Sequence, residues 1–86
     1  MTMEMSIRER LETAFSPSIL QVLNESHLHA GHAGSPNSGQ SHFRVYIVSE
    51  KFLGFSRVER HRLVNDVLAQ ELASGVHALA ITAEAP

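Results

Sequence analysis

Between His42 and Glu84 the chain reads as strand, capped helix and strand, a unit that admits few arrangements. Phe43, Val45 and Ile47 alternate with Arg44 and Tyr46, the period of two expected of a sheet with one covered face. After a turn over residues 50–55 that pivots on Gly54, Ser56 and Glu59 form a capping box. Leu63, Val64, Val67, Leu68 and Leu72 then keep one helical face, and Gly75 stops the helix. Residues 76–84 form the next strand, with Leu79 and Ile81 sharing a face with His77 and with Ala78, Ala80 and Thr82 on a small opposite face. If this strand pairs beside the one before it, the helix makes a right-handed crossover and the two run parallel. Both then start at the same end of the sheet, which brings His77 near His42.

Upstream, Ser6 and Glu9 carry a second capping-box signature, and Ile7, Leu11, Ala14 and Phe15 follow at helical spacing. Pro17 ends that helix, because proline donates no hydrogen bond and pushes its predecessor out of the helical region. Ile19, Leu20, Val22 and Leu23 mark residues 19–26 as a strand that should pair antiparallel with residues 42–49. The expected fold is therefore α+β, a two-layer α-β-β-α-β arrangement with both helices on one side of a three-stranded mixed sheet. Eighty-six residues allow one domain, residues 1–86, with a modest core.

The connection between the first two strands takes about fifteen residues, where a hairpin normally closes in two to five. Residues 27–42 hold four of the chain's six histidines, punctuated by Gly31, Gly34 and Gly39. Imidazole is the commonest metal ligand of proteins, and His27, His29 and His32 have a spacing that lets several nitrogens converge if the glycines fold the segment back. With His77 they are the candidate ligands, and with no cysteine in the chain any sulfur ligand must come from another molecule. Blander readings stand beside this one. His77 could simply bond the backbone at a strand start, His42 reads as a strand-edge residue, and the glycine-rich stretch could be a plain insertion or bind zinc or copper without a partner.

Lys51, Arg57, Arg60, His61 and Arg62 gather most of the positive charge at the turn and the first helical turns. Arg57 sits where the helix dipole disfavours a cation, which suits a carboxylate or phosphate of a ligand or partner, while a solvated helical face is the plainer reading of each of these residues. A basic helix after a turn resembles half of a helix-turn-helix, but the net charge of −2 argues against a general attraction to DNA or to anionic membranes. Gly31-His32-Ala33-Gly34 has the letters of a nucleic-acid clamp, yet it joins two strands where that clamp joins two helices. Neither a nucleophile elbow nor a phosphate loop is present, so an enzyme is not expected. Apolar runs fall far short of a membrane span. Met1-Thr2-Met3-Glu4-Met5 lacks the parts of a signal peptide. A cytoplasmic protein of bacterial type is expected, with a processed organellar form left open.

Asn24-Glu25-Ser26, His29-Ala30-Gly31-His32, Ser41-His42-Phe43, the run from Phe52 through Arg60-His61-Arg62 to Val64, and Gly75-Val76-His77-Ala78-Leu79-Ala80-Ile81 together resemble the BolA family over nearly the whole chain. The resemblance implies a class II KH-like fold and a complex with a monothiol glutaredoxin that shares a [2Fe–2S] cluster. The glutaredoxin gives a cysteine thiolate, its bound glutathione gives another, and the BolA-like chain gives histidine. By this resemblance the C-terminal ligand falls on His77 and the loop ligand on His29, with His32 as the fallback. It also implies a link, in members of the bacterial type, to DNA binding and to regulation of morphology and stress response, which would use Lys51 and Arg57 to Arg62. A homodimer is left open.

Overall fold

The computed structural model describes residues 2–26 and 42–86. Its elements run α1 (Met3–Phe15), β1 (Ile19–Asn24), β2 (His42–Val48), a 3-10 turn (Glu50–Phe52), α2 (Arg57–Val67), α3 (Ala69–Ser74) and β3 (Ala78–Glu84). The sheet order is β1-β2-β3. β1 pairs antiparallel with β2, and β2 pairs parallel with β3, so that His42 lies opposite Ala78 and Val48 opposite Glu84. The α+β expectation and the parallel crossover both hold. α1 lies against β1 and α2 against β3, with the two helices touching. The face they cover is lined by Val22, Phe43, Val45, Ile47 and Ala83, which are buried, and by Leu20, Leu79 and Ile81, which are partly buried.

Two helical expectations are corrected. α1 starts at Met3, capped by Thr2, whose hydroxyl accepts from the Met5 N–H at 3.2 Å. Ser6 is therefore inside the helix, and its hydroxyl is free to donate to Glu71 at 2.6 Å. The second helix is not continuous to Gly75. It breaks at Leu68, whose backbone (φ −95, ψ 17) separates α2 from α3. Asn65-Asp66, two weak helix formers, sit just before the break. Leu68 stays in the core at 1% exposure while α3 turns its Glu71 toward α1. The other end signals operate as expected: Ser16 turns left-handed (φ 43) ahead of Pro17, Ser56 and Glu59 complete their capping box, and Gly75 (φ 141) ends α3.

Two polar tethers fix this scaffold. At one, buried Ser49 donates to the Phe15 carbonyl at 2.6 Å and accepts from the Lys51 N–H at 3.1 Å. It thereby ties the end of α1 to the turn after β2, where the Phe15 and Phe52 rings meet at 4.8 Å. At the other, Glu71 is 4% exposed and accepts from Ser6 and from Arg10 Nε, each at 2.6 Å, while Arg10 Nη2 also bonds Gln70. Burial pushes the Glu71 carboxyl up, but the bonds from Ser6 and Arg10 outweigh it and hold the group below its ordinary value of 4.5.

Because the folded carboxyl titrates lower than the unfolded one, its stabilisation is fully present above the unfolded value and is lost as pH falls through the folded one. Denaturant unfolding should show wild-type stability falling as pH drops below 4.5. Glu71→Gln should cost about 1–3 kcal/mol at neutral pH and lose less stability over the same acid range. Parallel pH profiles for the two proteins would remove Glu71 as the cause.

Candidate functional site

The candidate site residues among the described ones fall at the two ends of the sheet. β2 spans His42 to Val48, so at about 3.3 Å per residue the ends lie roughly 20 Å apart. His42 and His77 occupy the end where β2 and β3 begin. The basic residues occupy the end where both strands finish.

At the first end the imidazoles of His42 and His77 stack, with ring centroids 6.4 Å apart and planes 18° from parallel. His77 is exposed and His42 half-buried. His77 lies one residue before the first paired position of β3, Ala78, rather than inside the strand. Its place comes from the end of α3, where the Gly75 and Val76 N–H groups both donate to the Glu71 carbonyl and Val76 is buried. His42 is held from β1. The Glu25 N–H donates to the His42 carbonyl at 2.8 Å, and the His42 N–H donates to the Ser26 hydroxyl at 3.0 Å. Ser26 is fixed in turn by Asn24 Oδ1, which accepts its N–H at 3.0 Å. On the open face of the sheet Arg44 pairs with Glu25 at 3.1 Å.

The chain therefore leaves the sheet at Ser26 and re-enters at His42, and these two residues are bonded to each other beside His77. His29 and His32, the expected loop ligands, lie outside the described residues. Among the described residues no group of three or more His, Asp or Glu side chains converges on a metal position. His77 and His42 alone can offer imidazole nitrogens but cannot complete a coordination shell, which needs four donors in such sites. The Asn24-Ser26 bond is an Asx turn, and Asn-x-Ser straight after a strand is the signal that could have located this anchor in the sequence.

At the second end the five expected contact residues have different duties. Arg60 donates from Nε to the Phe55 carbonyl at 3.0 Å and from Nη1 to the Ala83 carbonyl at 3.3 Å, joining the start of α2 to the edge of β3. Lys51 Nζ donates to the Ala14 carbonyl at 3.2 Å, one of the terminal carbonyls of α1. Arg57 and Arg62 are exposed, and neither makes an ion pair closer than 4.0 Å among the described residues. His61 is half-buried in a cleft that it lines with Arg57, Arg60, Thr82, Ala83 and Glu84. Glu59 is held below its ordinary carboxyl value by bonds from the Ser56 backbone and then its side chain, with the Arg62 charge adding to them.

The profile of the family described as BolA-like protein matches residues 11–86. The chain is 52% identical over 83 residues to BolA-like protein 1 of Mus musculus, covering 96% of this chain and 58% of that protein. It is 49% identical over 75 residues to the DNA-binding transcriptional regulator BolA of Vibrio cholerae, covering 87% and 67%. Among solved structures, the BolA domain of SufE1 from Arabidopsis thaliana superposes with a TM-score of 0.87 at 48% identity, covering 96% of this chain and 91% of that one.

The stacked rings give a direct check. His42→Ala should shift the His77 ring-proton resonances by removing the ring current, with amide resonances outside this end of the sheet unchanged. Ser26→Ala should cost about 1 kcal/mol and move the same His77 signals. Unmoved His77 signals in both variants would separate the two imidazoles in solution.

Proposed function

The chain belongs to the BolA-like family, and from that premise we propose that it is an adaptor rather than an enzyme. It forms a complex with a monothiol glutaredoxin and shares a [2Fe–2S] cluster with it, in cluster trafficking, assembly or iron sensing in a cytoplasm of bacterial type. His77 provides one ligand and His29, or His32 in its stead, the other. The glutaredoxin provides a cysteine thiolate, and glutathione bound to it provides a second. The observation that carries this reading is the exposed His77 ring at the point where the chain departs toward and returns from residues 27–41.

The donor chemistry fits a shared group better than a resident one. A chain with no cysteine and an exposed imidazole, His77, at one end of its sheet can hold only part of a cluster and requires sulfur from outside. Mixed imidazole and thiolate ligation raises a cluster's potential above that of an all-cysteine site. This chain's own part is to place His77 through the Gly75 and Val76 N–H bonds to the Glu71 carbonyl, with the His42 ring stacked beside it.

A second reading, DNA binding in transcriptional regulation, draws on the name of the Vibrio cholerae relative and on exposed Arg57 and Arg62. It draws less from the geometry, because Arg60 is already bonded to two backbone carbonyls and net charge is −2. That reading requires a mobility shift at low salt that weakens steeply as salt rises.

Mixing the protein with glutaredoxin, glutathione and iron should give a visible spectrum that His77→Ala changes, with a more labile cluster. Identical spectra and lability would remove His77 from the ligand set. The mixed complex should also weaken on acidification, because protons compete with the cluster for the histidine nitrogen.

A further inference from the structure

The end of the sheet opposite the imidazoles carries a surface that the chain itself leaves uncovered. Leu53, Phe55 and Val58 are 60%, 39% and 59% exposed, half of the six large hydrophobics left open among the described residues. All three fall within six consecutive residues. Local chemistry explains why they stay outside. Gly54 takes φ +83, which turns the chain between Leu53 and Phe55. Phe55 precedes the Ser56 cap, a position that commonly packs against an apolar residue in the first helical turn. Here that residue is Arg60, whose guanidinium reaches back to the Phe55 carbonyl instead. Beside this patch lies the cleft of Arg57, Arg60, His61, Thr82, Ala83 and Glu84, cationic along its helical wall.

We propose that this end docks an acidic segment of a partner protein that carries bulky apolar side chains. A carboxylate of the segment sits between Arg57 and His61, and its aliphatic or aromatic side chains cover Leu53, Phe55 and Val58. The combination decides between classes of partner. A nucleic-acid backbone is held by many cations and a polar surface. It would leave Leu53 and Val58 against water, and Arg60 has bonds already spent on carbonyls. Phenylalanine and arginine, set here within one short stretch at Phe55 and Arg57, are instead among the residues enriched at protein–protein interfaces. The surface stands roughly 20 Å from His42 and His77, so its occupation leaves the imidazole end open. This docking surface does not depend on the cluster-sharing reading, and its test uses no metal.

The probe is a synthetic twelve-residue peptide alternating Glu or Asp with Leu or Phe, titrated into the isotope-labelled, metal-free full chain and followed by NMR. Two controls are the same peptide with Lys at every acidic position and a short DNA duplex. Expected are saturable shifts confined to residues 51–62 and 82–84, with His42 and His77 signals unmoved. Affinity should fall about tenfold in Leu53→Asp and again in Arg57→Glu. Both positions are exposed, and an unchanged amide spectrum elsewhere confirms that each variant is folded. Equal binding of the lysine peptide, no shifts at millimolar peptide, or shifts centred on His42 and His77 would each overturn the proposal. Saturable shifts at these residues with the duplex but not with the acidic peptide would do so too, and would assign the surface to nucleic acid. Loss of cluster sharing in His77→Ala, measured separately, leaves this result untouched.

Discussion

The parallel pairing of β2 with β3 is the constraint on which the rest of the molecule depends. A strand that runs parallel to its neighbour needs a crossover, and the crossover available here is the helical segment of α2 and α3 packed on one face. Pairing of this kind brings beginnings together and endings together. His42 and His77, 35 positions apart in the chain, therefore stack at one end, while Lys51 and the arginines of α2 collect at the other.

Buried polar groups, rather than apolar area alone, set the positions within that frame. Glu71 shows this on two levels. Its side chain joins α3 to Ser6 and Arg10 of α1, and its backbone carbonyl accepts from Gly75 and Val76 on the approach to His77. The break at Leu68 lets one segment do both, since Val64 and Leu68 remain in the core while the last turn and a half swings toward α1. Ser49 acts in the same way at the opposite end, bonding the end of α1 with one hydroxyl.

Much of this was legible from the residues, and the misses share a cause. The alternation of Phe43, Val45 and Ile47, the Ser56-Glu59 pair and Gly75 all operate through near neighbours, and each marks its element correctly. The nearness of His42 and His77 follows from topology once the crossover is assumed. Ser6 was misread because its pattern with Glu9 satisfies a local rule, whereas its partner, Glu71, lies 65 positions away. Arg60 looked like a free cation for the same reason, its carbonyl acceptor on Ala83 being supplied by a distant strand. The interruption at Leu68 was hidden because the apolar spacing continues through it. Residues 27–41, which hold His29 and His32, lie outside the described residues.

The bond between Ser26 and His42 closes the sheet on itself before the intervening fifteen residues are counted. β1 and β2 are thus already joined at the point where the segment between those two positions departs and returns. The entropy of closing such a segment grows only slowly with its length. Exchanging side chains there, or lengthening the stretch, therefore costs the framework little, which makes this junction the cheapest place in the chain to accommodate change.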